Sequence, residues 1–431
     1  MRFSIDSHAE QLPRLLRLFL EIVGREPWEK RARDIVTQLT QVPVLRDILV
    51  ERHQIEIEFA RLLTEIQDTG RVVTKVDGQG RYELFAFIAT VARVFERLST
   101  TGQKRLRGML RDGLRSEMGL LPLQHEMTVA VHLRSRGFNV EFQDMEGRGG
   151  SDYLARRGSV EVQVECKMVS GDIGRMLHRR AVAQQFWTIM RAVAVVRLKE
   201  RGYFLRVSIP GRLQRNEEMQ SGIADLVRRA VEDGSPFESN ILCSVSMQTF
   251  DPAGTRFDSG NLKSLTQELA RDFVKTRFGV DGGHILNWLA PGRPIVVVCL
   301  QSEQEDEMLD AILNTLKRSA KTQFSASLPA ILAVQLHDLT EDALLELAGS
   351  DTTDPKMATG LQLMTSRFFN STSGANILAV AYRAHGKFEQ RVRRSINEET
   401  TTSSAGGAAY LFRNHTHPLG TDAAYNVFGI R

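Results

Sequence analysis

The sequence predicts an α/β protein with a helical N-terminal domain, a mixed-sheet core and a C-terminal α/β extension, and three patterns predict it. From residue 7 to 115 apolar residues recur at helical spacing and strand signals are scarce. Near residue 117 a helix leads into three consecutive strand-like segments. In the last third, uninterrupted apolar runs alternate with helical stretches, as in a mostly parallel sheet covered on both faces. The expected divisions are 1–115, 116–285 and 286–431, the last either extending the central sheet or standing as its own domain. A length of 431 residues accommodates two or three compact units.

In the N-terminal region Leu12, Leu15, Leu16 and Phe19, then Phe59, Leu62, Leu63 and Ile66, then Phe85, Phe87, Ile88 and Val91 mark helical faces. The run LLRLFLEIV is interrupted by charge (Arg17, Glu21, with Arg14 just before it), and no small-residue cleavage site follows. It therefore reads as an amphipathic helix, not a signal peptide. In VVTKVDGQGRYELF, Asp77-Gly78 sits between alternating residues and suggests a tight hairpin. Gly78-x-Gly80 lacks a following Lys-Ser/Thr and reads as a turn, not a phosphate loop.

In the core, LPLQHEMTVAVHLRSRG predicts a helix stopping at Gly137. FNVEF, SDYLARRG and SVEVQVECKMVS follow as strands, then a long helix from about Ile173 to Lys199, the strand YFLRVSIP, a helix from about Glu217 to Glu232 and the strand ILCSVSMQTF. PIVVVCL leads to a helix opened by the capping box Ser302-x-x-Glu305, and AILAVQL and ILAVAY are further strands. EETTTSSAGG, residues 398–407, reads as a flexible loop by composition.

Composition narrows the classes. With 42% hydrophobic and 25% charged residues the chain is neither disordered nor fibrous. A formal net charge of +4 permits nucleic acid as a partner without demanding it. Three widely separated cysteines build neither a disulfide framework nor a metal knuckle, which fits a cytoplasmic protein. No stretch approaches the roughly 18 apolar residues of a membrane span, so no membrane partner is expected.

The chemistry gathers between Glu126 and Gln185. Alternation along SVEVQVECK puts Val160, Val162, Val164 and Cys166 on one strand face and Glu161, Gln163, Glu165 and Lys167 on the other. Asp152 opens the preceding strand, and the turn at Arg156-Arg157-Gly158 folds it back, so Asp152, Glu165 and Lys167 converge. Two carboxylates supply hard oxygen ligands for Mg²⁺, the metal lowers the pKa of water, and an adjacent lysine stabilises charge developing on a scissile phosphate. The plainer alternative is a solvated strand face with an ion pair worth under about 1 kcal/mol. Gly149-Gly150, leaving room for close approach to Asp152, favours the functional reading.

These residues resemble the PD-(D/E)XK nuclease superfamily, the restriction-endonuclease-like fold. Its pattern is a helix bearing Glu, a strand or turn bearing Asp, a strand bearing (D/E)-x-K, and a helix that often carries Gln. The matching positions are Glu126 in QHEMTVAVHL, Asp152 in GGSDYLA, Glu165-Cys166-Lys167 in VECKMVS, and Gln184 or Gln185 in RAVAQQFW. Ser151 stands where the motif's name has Pro, a position with no chemical task. The resemblance spans about residues 117–200 and implies a restriction-endonuclease-like core over 116–285. It implies Asp152 and Glu165 as ligands of Mg²⁺ or Mn²⁺ with the Cys166 carbonyl, Glu126 as auxiliary ligand, Lys167 as catalytic lysine, and Gln184 on the substrate side. For Glu126 an ordinary exposed carboxylate, and for the Gln pair an ordinary surface amide, remain open.

Basic stripes flank this window. Arg175 and Arg179, with His178, Arg180 and Arg191, lie on the expected helix after the E-x-K strand, and Arg107, Arg111 and Arg115 lie on a helix before the core. Phosphate contact and a plain solvated face are both consistent with each stripe. Among ten histidines only His415-x-His417 form a close pair, and they read as part of a C-terminal loop. His125 reads as an ordinary helix residue and Cys166 as a small core residue. The expectation is a Mg²⁺-dependent nuclease hydrolysing DNA by metal-bound water. Its alternatives are a catalytically inactive nucleic-acid-binding scaffold, or a partner-activated subunit of a defence or mobile-element complex recruited through the helical N-terminal domain.

Overall fold

A computed structural model describes residues 2–4, 7–41, 43–72, 78–198, 202–253, 267–288, 294–325, 327–339, 344, 347, 358–384, 388–394, 399–405 and 409–428. The protein is α/β, with its first helices N-terminal and its large sheets later. It divides into two compact units: Met1–Thr37 with Leu49–Ile173 and Met308–Arg431, and Gln38–Ile48 with Gly174–Glu307. These do not follow the expected 1–115, 116–285 and 286–431 divisions, because the strand that extends the core sheet lies far downstream of it.

The first unit begins with the short hairpin β1 (Arg2–Ser4) and β2 (Ser7–His8). Helices α1 (Leu12–Val23), α2 (Arg25–Gln41), α3 (Arg46–Arg52), α4 (Gln54–Thr69), α5 (Gln79–Arg97), α6 (Thr100–Arg115) and α7 (Leu121–Ser135) follow, α2 and α3 each running across a boundary between the units. Leu12, Phe19, Phe59, Leu62, Phe85, Ile88 and Leu106 share one buried core. The hairpin expected at Asp77-Gly78 is not formed where the chain is described: residues 79–97 are helix, and 73–77 lie outside the described residues. Helical spacing of Leu84, Phe85, Phe87, Ile88 and Val91 outweighs the short alternation before them.

Helix α7 closes at Gly137, whose φ is 82°, and leads into the meander β3 (Asn139–Phe142), β4 (Tyr153–Arg157) and β5 (Val160–Ser170). The second unit then contributes α8 (Arg179–Ala194), β6 (Gly202–Ile209), α9 (Glu217–Asp233), β7 (Phe237–Ser239), β8 (Ser244–Phe250), α10 (Gln267–Phe278), β9 (His284–Trp288) and β10 (Ile295–Ser302). The first unit resumes with α11 (Met308–Gln323), β11 (Ala330–His337), α12 (Gly360–Phe369), β12 (Ile377–Arg383), β13 (Phe388–Arg394), β14 (Glu399–Ala405) and β15 (Ala409–Arg413).

Its six-stranded sheet has the order β15-β12-β11-β5-β4-β3. β3, β4 and β5 run antiparallel, β5, β11 and β12 parallel, and β15 antiparallel to β12. Val162, Val164 and Cys166 pack with Val129, Ala130 and Leu133 of α7 on one face. Leu332 and Val334, in register with Glu165 and Lys167, pack with Ile312 and Leu316 of α11 on the other. Much of the last third thus extends the central sheet. Residues 399–405, expected as a loop, pair with β13 as a strand; the Thr-rich stretch is compatible with a ladder.

The second unit's sheet has the order β7-β8-β6-β10-β9, with β6 and β10 parallel. Leu205, Val207 and Val298 pack with Phe186 of α8 and Val227 of α9, while Phe204 and Val297 pack with Val274 of α10 on the opposite face. Two expected helix starts are corrected here. The helix after β5 begins at Arg179, not near Ile173, so Arg175 does not share its face with Arg179. The helix after β10 begins at Met308: Ser302 still belongs to β10, where its Oγ donates to the Gly211 carbonyl and accepts from the Gln304 N–H, so Ser302-x-x-Glu305 is no capping box.

Candidate active site

Strand β4 pairs with β5 as far as Tyr153 opposite Val164 and then peels away. One residue beyond, Asp152 takes over the ladder with its side chain: Oδ2 accepts from the Cys166 N–H at 2.6 Å, and the Asp152 N–H donates to Glu165 Oε2 at 3.1 Å. Lys167 Nζ lies 2.5 Å from Glu165 Oε1. The alternation read from the sequence is responsible, since Glu165 and Lys167 share one face of β5 while Cys166 turns into the apolar core. The turn at Gly158, with φ 61°, brings Asp152 level with Glu165.

Electrostatics add Glu126 of α7 to the group. Burial, then the charges of Asp152, Glu165 and Asp144, hold the Glu126 carboxyl well above the ordinary carboxylate range. Burial and then Glu165 push Asp152 up to about 7, and burial also raises Glu165 although Lys167 opposes it. Burial works to lower the Lys167 ammonium, but Glu165, Asp152 and Glu126 together raise it, so it stays charged. Among the described residues, Lys167 is the cation that opposes the raised carboxyls of Glu126, Asp152 and Glu165.

Gln184, Arg175, Arg179 and Arg180 belong to the second unit. Gln185 is buried there, its Nε2 donating to the Gln220 carbonyl. Arg107 is committed to packing, its Nε donating to the Ile22 carbonyl at 2.7 Å and its guanidinium lying over Phe95, whereas Arg111 is exposed. His125 is more than an ordinary helix residue: it is buried, its Nε2 donates to the Ala333 carbonyl at 3.0 Å, and burial lowers it to about 4. His415 is exposed, and His417 Nδ1 accepts from the Leu419 N–H.

The sequence reading missed a second group. Ligand atoms of Glu51, His337 and Asp338 lie within 4.8 Å of one another, the one such trio of metal-binding side chains among the described residues. Asp338 Oδ2 is held by Arg52 Nη2 and by the Ser170 hydroxyl, both at 3.2 Å, and Asp172 lies 4.0 Å from Arg52. A guanidinium here already provides positive charge of the kind a cation would bring. Residues this far apart in sequence carry no joint signal.

No family model, curated protein or solved structure matches the chain. Among the described residues, no helix is long and apolar enough to cross a membrane.

Proposed function

We propose that the chain is a metal-dependent nuclease hydrolysing DNA phosphodiesters at Glu126, Asp152, Glu165 and Lys167. The observation supporting this most directly is the pair of carboxylates and the lysine gathered where β4 leaves β5, with three raised carboxyls against one ammonium. Sites that keep buried like charges near one another are favoured places for chemistry. The donor set suits a hard divalent cation, Mg²⁺ or Mn²⁺. Asp152 and Glu165 would hold it with the Cys166 carbonyl, and Glu126 would assist. In an extended strand a residue's N–H and C=O point to the same side, so the Cys166 carbonyl faces Asp152 as its N–H does. When bound, such a cation supplies Lewis acidity toward the phosphodiester and lowers the pKa of water.

The chain's own groups have separable tasks. Lys167, held protonated beside Glu165, donates toward the phosphate as negative charge builds there. The Glu126 carboxyl, its proton affinity raised by burial and by Asp152 and Glu165, is suited to proton exchange. The backbone hydrogen bonds to Asp152 and from Asp152 to Glu165 orient both carboxylates without recruiting another side chain. All three cysteines are buried and free, consistent with the cytoplasm as the protein's compartment.

The test is a cleavage panel of plasmid, linear and single-stranded DNA and RNA with Mg²⁺ or Mn²⁺, using wild type, Lys167→Ala and Asp152→Ala. Cleavage lost in both variants and in excess EDTA is the expected result. Variants as fast as wild type, or cleavage persisting in EDTA, overturn the assignment.

A further inference from the structure

Within the first unit a cleft of about 310 Å³ lies between α5, α7 and the edge strand β3. Thr90, Arg93, Val94 and Arg97 present one face of α5 at i, i+3, i+4 and i+7. Arg134 comes from α7 and Arg148 from the loop after β3, so four arginines converge against two glutamates, Glu141 and Glu146. Both acids are engaged: Arg148 and Arg156 pair with Glu141, while Glu146 accepts from the Ser99 N–H at 2.9 Å and from its hydroxyl. Arg93 donates to Glu96 and Gln11. Arg97 and Arg148 remain exposed to solvent. Between the cations the lining is apolar, with Val94, Leu98, Ala130, Val131, Val140 and Phe142.

The loop bordering this cleft also borders the acidic site. Phe142, Glu146 and Arg148 line the cleft, and the same segment carries Asp144, whose charge raises Glu126 and Asp152. Gln143 N–H donates to the Asp152 carbonyl at 2.9 Å and Arg148 N–H to the Gln143 carbonyl at 3.0 Å, so cleft and site share one hydrogen-bonded turn.

We propose that this cleft holds a single strand of nucleic acid, its phosphates on Arg93, Arg97, Arg134 and Arg148 and its bases against the apolar lining, and so delivers unpaired substrate to the site. It rests on the nuclease reading for the fate of that strand. A cleft of about 310 Å³ is of the size that holds a small molecule, room for a short stretch of one strand and not for a duplex. A cationic groove beside an aromatic ring on which a base can stack is the general solution for binding single strands, and Phe142 supplies such a ring here.

The experiment measures fluorescence anisotropy of labelled oligothymidine and of a blunt duplex in EDTA, so binding is read without cleavage. The full chain is compared with Arg134→Glu, Arg148→Glu and, as an exposed control, Arg33→Glu; circular dichroism checks folding. Arg134→Gln carries the test should Arg134→Glu misfold. Expected are tighter binding of the single strand, a loss of about tenfold on each cleft reversal, a salt slope lower by about 0.7, and no effect at Arg33. Equal or tighter duplex binding, or binding indifferent to both reversals, overturns the proposal. Displacement by polyglutamate but not by unlabelled oligothymidine also overturns it, in favour of an acidic protein partner. Cleft-dependent single-strand binding with no cleavage in any metal would sink the nuclease reading alone.

Discussion

Midway along β5, Glu165 stands with Asp152 and Glu126 against a single ammonium, Lys167; past the end of the same strand, Asp172 and Asp338 stand beside Arg52. Both groups bury carboxylates on one sheet; in the first, burial and neighbouring charges push the carboxyls of Glu126, Asp152 and Glu165 upward. At the strand end Arg52 is buried with its partners, and the Ser170 hydroxyl adds a hydrogen bond to Asp338. Asp338 even adopts φ 68°, unusual for a side-chain-bearing residue, a conformation its pinned carboxylate helps to hold. The two groups differ in the cation that answers the acids: at the strand end a buried guanidinium reaches Asp338 and Asp172, whereas on β5 a half-buried ammonium pairs with Glu165, and buried carboxyls held upward are favoured where chemistry uses them.

The largest effect that could break this contrast comes from Arg52→Ala. Removing the guanidinium takes the cation away from the buried Asp338 and Asp172 carboxylates, and losing one partner of a buried pair costs about 3–5 kcal/mol. Denaturant melts should show a fall of that size. A loss under about 1 kcal/mol would mean that the strand-end group is not held by its ion pairs.

Asp152→Asn should behave oppositely. It removes one member of the acid surplus, so stability at neutral pH should hold or rise, while cleavage falls by about a hundredfold or more. Lost cleavage together with a large loss of stability would show Asp152 to be structural.

The pH dependence sharpens the same point. The Asp152 carboxyl titrates near about 7 when folded and near about 4 when unfolded, so between those values the folded protein keeps a proton the unfolded chain has released. The stabilisation from this group is complete below about pH 4 and is lost as pH rises through about 7, at up to about 1.4 kcal/mol per pH unit. Glu126 and Glu165 act with the same sign. Thermal midpoints should fall over that window in wild type and fall less in Asp152→Asn, and Mg²⁺ at neutral pH should restore part of the loss. A flat profile in wild type would remove the acid surplus from the argument.

How much of this was legible follows from sequence distance and pattern length. The β3–β5 meander showed itself through strict alternation in SVEVQVECK and through Gly137 and Gly158, and the acidic group lay within one short window. The insertion of residues 174–307 between β5 and β11 did not show, because the apolar runs of β10 and β11 look alike although they join different sheets. Gln184 follows β5 closely in sequence, yet its helix belongs to the second unit. Arg52 and Asp338 stand on separate elements far apart along the chain, and only folding pairs them. The cleft arginines carry no joint signal because they come from three places, Arg93 and Arg97 on α5, Arg134 on α7 and Arg148 in the loop after β3, while Arg107 of the visible stripe donates to the Ile22 carbonyl of α1.

The smallest expected effect is the most discriminating between the two groups. Glu51→Gln keeps the size and hydrogen-bonding capacity of a half-buried side chain, so stability should change by no more than about 0.5 kcal/mol and cleavage should be unaltered. The Mg²⁺-dependent rise in thermal midpoint should persist, because the cation is assigned to Asp152 and Glu165 and Arg52 already stands at the strand end. If Glu51→Gln instead abolished the cation effect while Asp152→Asn left it intact, the metal would belong with His337 and Asp338. The raised carboxyls on β5 would then have to be explained without it.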